Sequence, residues 1–293
     1  MKPKATIVYL TRSTESDIRD LKKSLKLLDL HYNDQFHYPV LIFHEDLSNG
    51  LKAELQNATR SALTFAELHF ELPAFLKKSE VPEKILGRFN VGYRHMCRFF
   101  AGLIFEHPAL AGFDWYWRLD TDSFLRGNVA YDVFQFMEAG DLWYGYIVML
   151  EEKPEVVNGL WSAAKNYMKD AKLVPLAMEQ LTSVAGAWNY LYYYNNFEIC
   201  KLEFGRSRAY QEFFRYLDHL GGIYKFRWGD APIRTIAVSM LVPKAKVHRF
   251  TDIPYSHAGY CTHWRHCALD RLESILNRHL IRKAQRIIHF MSM

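Results

Sequence analysis

The stretch 38-YPVLIFHE-45 is apolar without interruption from Pro39 to Phe43. A half-buried strand alternates apolar and polar residues. A short run that is apolar at both parities is a strand covered on both faces, the pattern of parallel sheets flanked by helices. The neighbouring segments agree. Thr6 to Leu10 is a β-branched and aromatic strand candidate, Ser13 and Ser16 offer N-caps, and Ile18, Leu21, Leu25 and Leu28 follow at helical spacing. Asn49-Gly50 breaks the chain before a further helical stretch, and 63-LTFAELHFEL-72 alternates like a strand. The order strand, helix, strand, helix, strand predicts an α/β domain with a parallel sheet.

The chain has 293 residues, near the upper limit for one hydrophobic core. No repeat, low-complexity tract or linker divides it, so one domain is expected. Further along, Asn90 caps a helix over 91–105, and 114-DWYWRL-119 reads as a strand. A helix over 131–137 and a strand over 142–150 follow, then an amphipathic helical stretch over 154–183. Residues 190–204 read as strands around a polar turn. A helix over 207–220 stops at Gly221-Gly222, and another spans 230–241 with Pro232 in its first turn.

The formal charge is +5, and +3 of it lies in residues 270–293, where five Arg or Lys face Asp270 and Glu273. The rest is close to balanced, without the basic stripe of a nucleic-acid binder. Cys97, Cys200, Cys261 and Cys267 form no CxxC pair and are read as reduced thiols. The N-terminus, 1-MKPKATIVYL-10, lacks the apolar stretch of a signal peptide or anchor. No window approaches the ~18 continuous apolar residues of a membrane span.

Asp120 and Asp122 stand one residue apart, directly after the strand 114–119. Ligands of open α/β sheets bind beyond the carboxyl ends of strands. Two carboxylates there suit Mg²⁺ or Mn²⁺ together with substrate phosphates, and a surface turn is the plainer reading. Arg94 and Arg98 share a helix face, which suits a phosphate, a carboxylate or a structural helix end. Glu198 follows two Asn in an aromatic stretch and is either structural or aimed into a pocket. Asp230 is explained by an N-cap, and His257 lies in an aromatic loop.

The runs 93-YRHMCRF-99, 114-DWYWRLD-120, 195-NNFEI-199, 227-RWGDAP-232 and 252-DIPYSH-257 resemble the signature stretches of the family 15 glycosyltransferases, the fungal α-1,2-mannosyltransferases. The similarity includes 37-HYPVLIF-43 and 207-SRAYQEFFRYLD-218 and runs in order over residues 5–260. It implies a GT-A fold over residues 1–269, a single nucleotide-sugar-binding domain with a mixed, mainly parallel sheet. It also implies GDP-mannose as donor, a glycan acceptor, Mn²⁺ (or Mg²⁺) as cofactor, and retention of configuration. Carried over by position, the metal ligands are Asp120, Asp122 and His257. The catalytic positions are Glu198, Asp230 and Tyr93, and donor contacts fall to Arg94, Arg98, Arg118 and Asp120.

Asp-Thr-Asp stands where the family has Glu-Pro-Asp, which leaves open another nucleotide hexose as donor. A glycan-binding protein without catalysis is the rival from a different class. Glu198 is either a nucleophile, as in retaining glycosidases, or a charge acting in front-face transfer. The family's anchor and stalk are not seen, so a cytoplasmic enzyme is expected. In 270–293, apolar residues at helical spacing oppose Arg278, Arg282, Lys283 and Arg286. This predicts a basic amphipathic helix, either docked on the domain or touching an anionic membrane surface.

Overall fold

The computed structural model describes residues 2–262. Cys267 and the expected basic helix over 270–293, with its possible membrane contact, lie outside the described residues.

Seven strands build the central sheet: β1 (Ala5–Thr11), β2 (Val40–His44), β3 (Leu63–Glu67), β4 (Trp115–Leu119), β5 (Tyr144–Tyr146), β6 (Phe197–Lys201) and β7 (Val247–Arg249). Their order is β7-β5-β6-β4-β1-β2-β3. Every pairing is parallel except those of β6, which runs antiparallel to β4 and β5. The sheet is therefore mixed and mainly parallel, as expected.

The uninterrupted apolar run of β2 has the predicted consequence. Leu41 and Phe43 join Val8 and Tyr116 in one core, while Val40 and Ile42 join Ile7, Tyr9 and Trp117 in the other. Helix α1 (Glu15–Leu28) covers the second core through Ile18, Leu21, Leu25 and Leu28, with α2 (Asn49–Gln56) adding Leu55. On the first face lie α3 (Val91–Ala101), α4 (Leu160–Asp170), α5 (Arg208–Leu220) and α6 (Asp230–Leu241). All residues of α6 from Asp230 to Met240 are buried, which accounts for its nearly all-round apolar sequence.

Several boundaries differ from expectation. Thr14, not Ser13 or Ser16, caps α1, accepting from Asp17 N at 3.3 Å. β3 stops at Glu67 rather than 72 because its partner β2 ends at His44. The 154–183 stretch is α-helical only over Leu160–Asp170, with short 3-10 turns at Pro154–Val156 and Met178–Leu181. The α-helix starts after Gly159, whose φ is 79°. Residues 190–204 do form two strands around a polar turn, but in different sheets: Leu191–Tyr193 pairs with Met149–Glu151 in a separate small sheet, and β6 enters the main one. Cys261 is disulfide-bonded, correcting the reading of four reduced thiols, whereas Cys97 and Cys200 are free and buried. Among the described residues no helix is long and apolar enough to cross a membrane.

The loop ahead of α6 is pinned by Trp228, whose Nε1 donates to Asn158 O at 2.8 Å. Its ring leaves no room at Gly222, where a Cβ would lie 2.2 Å from Trp228 Cδ2. Gly222→Ala should therefore lower stability by about 1–3 kcal/mol, the usual cost of overpacking. Urea unfolding should show a lower midpoint with an unchanged slope.

Candidate active site

Asp120 and Asp122 lie just beyond the carboxyl end of β4, in a turn closed by Ser123 N donating to Asp120 O at 2.9 Å. The following residues, Phe124–Leu125, pair with Tyr255–His257, which in turn pairs with Tyr260–Cys261. This small sheet carries His257 from far along the chain to the acidic turn. His257 Nε2 lies 2.9 Å from Asp122 Oδ1 and 3.8 Å from Asp120 Oδ2. Its Nδ1 meets the Tyr194 hydroxyl at 2.6 Å and the Asn196 amide. Burial pushes the Asp122 carboxyl up, but the hydrogen bond and charge of His257 outweigh it and hold the group below the usual carboxylate range. The three expected metal positions are thus brought together. Among the described residues, however, no cluster of three His, Cys, Asp or Glu side chains has metal-holding geometry as it stands.

Behind this turn lies a set of buried charges. Arg118 on β4 and Glu198 on β6 are directly opposite in the antiparallel pair, so they share a face. Asp230 and Arg234 are four residues apart on α6 and also share a face. The two pairs interlock. Arg118 Nη1 donates to Asp230 Oδ2 at 2.5 Å, and Arg234 Nε donates to Glu198 Oε2 at 3.1 Å. Tyr116 and Tyr144 add hydroxyl donors to Glu198, and Arg234 continues to Tyr210 Oη and Phe100 O. Glu198 and Arg234 are fully buried. Arg118 reaches forward as well, donating from Nε to Asp120 Oδ1 at 3.1 Å, so the buried set and the acidic turn are continuous. Asp230 opens α6 without capping it: its carboxylate accepts from Arg118 and from Asn195 Nδ2 at 2.8 Å. Burial raises the Asp230 carboxyl, but the Arg118 charge together with hydrogen bonds from Arg118, Asn195 and Cys97 holds it below the usual carboxylate range.

Tyr93, at the start of α3, accepts from Arg227 Nη2 at 2.7 Å. Arg227 also pairs with Glu152 and stacks over Phe89. The remaining expected donor contacts are engaged elsewhere. Arg94 is buried and donates to the carbonyls of Asn90, Pro82, Glu83 and Tyr224. Arg98 forms a two-pronged pair with Asp218. Sequence reasoning missed Arg234, Tyr116, Tyr144, Tyr194 and Arg227. Arg234 did leave a signal, because a lone charge inside the apolar run 231-APIRTIAV-238 must find a buried partner.

Removing one member of a buried ion pair leaves the other uncompensated, which costs about 3–5 kcal/mol. Arg234→Met should lose that much stability in urea, and adding Glu198→Gln should return part of it. The depressed carboxyls set a pH dependence. Their stabilisation is complete above the unfolded value of about 4 and is lost as pH falls through the lower folded values. Asp122→Asn should accordingly flatten the acid limb of the stability curve.

The chain is similar to known proteins. The chain is 33% identical over 288 residues to glycolipid 2-alpha-mannosyltransferase of Saccharomyces cerevisiae, covering 92% of this chain and 63% of that protein. It is equally 33% identical to glycolipid 2-alpha-mannosyltransferase 2 of Candida albicans, covering 88% of this chain and 59% of that one. The chain therefore spans about six-tenths of the length of these relatives. Among solved structures, the Mn/GDP form of core-mannan synthase A (CmsA/Ktr4) from Aspergillus fumigatus superposes with a TM-score of 0.82 at 29% identity, covering 88% of this chain and 76% of that one. The GDP complex of the mannosyltransferase Ktr4p from S. cerevisiae gives a TM-score of 0.83 at 27% identity, covering 89% and 72%. The model of the glycolipid 2-alpha-mannosyltransferase family matches residues 1–276, and the chain belongs to that family.

Proposed function

We propose that this chain is a metal-dependent retaining mannosyltransferase that moves mannose from GDP-mannose to a glycan hydroxyl in α-1,2 linkage. The observation that carries the reading is the meeting of Asp120, Asp122 and His257 at the carboxyl end of β4, in a chain whose structural relatives include Mn/GDP and GDP forms.

The donor set fits Mn²⁺ or Mg²⁺: two hard carboxylates and one imidazole. The orphaned Asn196 Oδ1 is buried beside His257. Turning that amide would place its oxygen on Nδ1, move the proton there, and leave the Nε2 lone pair facing the carboxylates. Asp120, Asp122 and His257 would hold the ion, which would supply Lewis-acid neutralisation of the diphosphate leaving group. Arg118 keeps one oxygen of Asp120 turned inward and leaves the other facing His257.

Glu198 suits a charge role better than a nucleophilic one. Three donors already fill most of its acceptor capacity, and the side chain is fully enclosed. Its fixed negative charge, and that of Asp230, would favour positive charge developing at the sugar's anomeric carbon. For the compartment, the Cys261 disulfide favours an oxidising environment over the cytoplasm expected from the N-terminus.

Two measurements test the reading. Transfer from GDP-mannose to a mannoside acceptor should vanish in excess EDTA, return with Mn²⁺, and fall by about 10²-fold or more in Asp122→Ala. GDP with Mn²⁺ should raise the melting temperature of the wild type. Stabilisation by UDP but not GDP would favour another nucleotide hexose. Full transfer in EDTA would refute the metal role.

A further inference from the structure

Arg227 has an uncommon backbone and an uncommon set of partners. Its φ is 65°, left-handed at a residue that is not glycine, a conformation that costs energy and clusters at functional sites. Its side chain is largely buried, at 11% exposure, with Glu152 at 13%. The guanidinium lies 4.4 Å from the Phe89 ring centroid and 5.3 Å from that of Tyr93. Nη1 is taken by Glu152 and Nη2 by the Tyr93 oxygen, while Nε has no partner. Three distant segments therefore meet on one cation: the first turn of α3, the residue after Met149–Glu151, and the loop three residues before Asp230.

The hydrogen-bond directions at Tyr93 carry the argument. A guanidinium only donates, so the Tyr93 oxygen accepts from Arg227 and its own proton must point elsewhere. Among the described residues that proton makes no hydrogen bond; the bond from Arg227 is the one the phenol oxygen makes. Burial raises the phenol far above its ordinary value, so the proton stays in place at neutral pH. The result is a half-buried phenol whose oxygen is held by Arg227 and whose O–H is not used within the described residues.

We propose that Arg227, held by Glu152, is a positioning residue that turns the Tyr93 O–H outward as a donor to a sugar oxygen of the bound substrates. The proposal rests on the mannosyltransferase reading above. Mutation of either partner should remove the same interaction. Arg227→Met and Tyr93→Phe should each lower kcat by about tenfold to a hundredfold, the range of one charge-assisted hydrogen bond. KM for GDP-mannose should change little in both. The double variant should be no slower than the slower single variant, because Arg227 acts through the phenol. Arg227→Lys should recover part of the loss by supplying one donor.

The experiment is steady-state transfer from GDP-mannose to methyl α-mannoside with Mn²⁺, with melting curves to confirm folding. If Arg227→Met does not fold, the cycle is run with Arg227→Lys and Tyr93→Phe, with the same non-multiplicative result expected. Losses that multiply in the double variant, or an Arg227 variant with wild-type kcat, would overturn the positioning role while the mannosyltransferase reading stands. A folded wild type with no transfer in Mn²⁺ would overturn both.

Discussion

The interlock of Arg118 and Glu198 with Asp230 and Arg234 ties the fold to the site. Each charge would be costly to bury alone, and each has its counter-charge on the other structural element. Such pairs are weak evidence for net stability, because apolar residues of similar volume often serve as well. Their effect here is on geometry. Slipping β6 by one residue against β4 would send Glu198 to the opposite face and strand Arg234. Rotating α6 by one residue would separate Asp230 from Arg118. Register and helix rotation are thus coupled, and with them the positions of Asn195, Asn196 and the acidic turn.

The same coupling accounts for the one antiparallel strand. A parallel sheet needs a crossover for each strand, whereas β6 arrives from the small Met149–Glu151/Leu191–Tyr193 sheet in the opposite direction. That approach places Tyr194, Asn195 and Asn196 just before β6, beside the carboxyl end of β4. Tyr194 and Asn196 bond His257, and Asn195 bonds Asp230. One reversed strand therefore supplies polar groups to both halves of the site within three residues.

The sheet was legible because its signals are local. The double parity of 38-YPVLIFHE-45 and the alternating neighbours required only the residues themselves. Asp120 and Asp122 were legible by their place after a strand. What the sequence hid depends on long-range pairing. Arg94 and Arg98 share a helix face as predicted, yet one meets backbone carbonyls and the other Asp218, choices that only the packing of α3 decides. Asp230 looked like an N-cap because its partner Arg118 lies 112 residues away. The Cys261 disulfide was invisible to spacing rules, because the four cysteines match no familiar framework.

The placement of Glu198 also bears on how such a site can stabilise charge. A nucleophile must approach its electrophile within bonding distance, but a charge acting through a dry interior need not. Glu198 is oriented by two phenols and a guanidinium, and under the proposed mechanism none of them would have to rearrange. Preorganisation of this kind is the usual source of electrostatic catalysis. Arg234 offsets the Glu198 charge from behind, while Arg118 lies between the buried set and the acidic turn. Under the proposed mechanism, the field at the acidic turn would depend on the balance along this line of alternating charges, and a change at any one of them would alter it without direct contact.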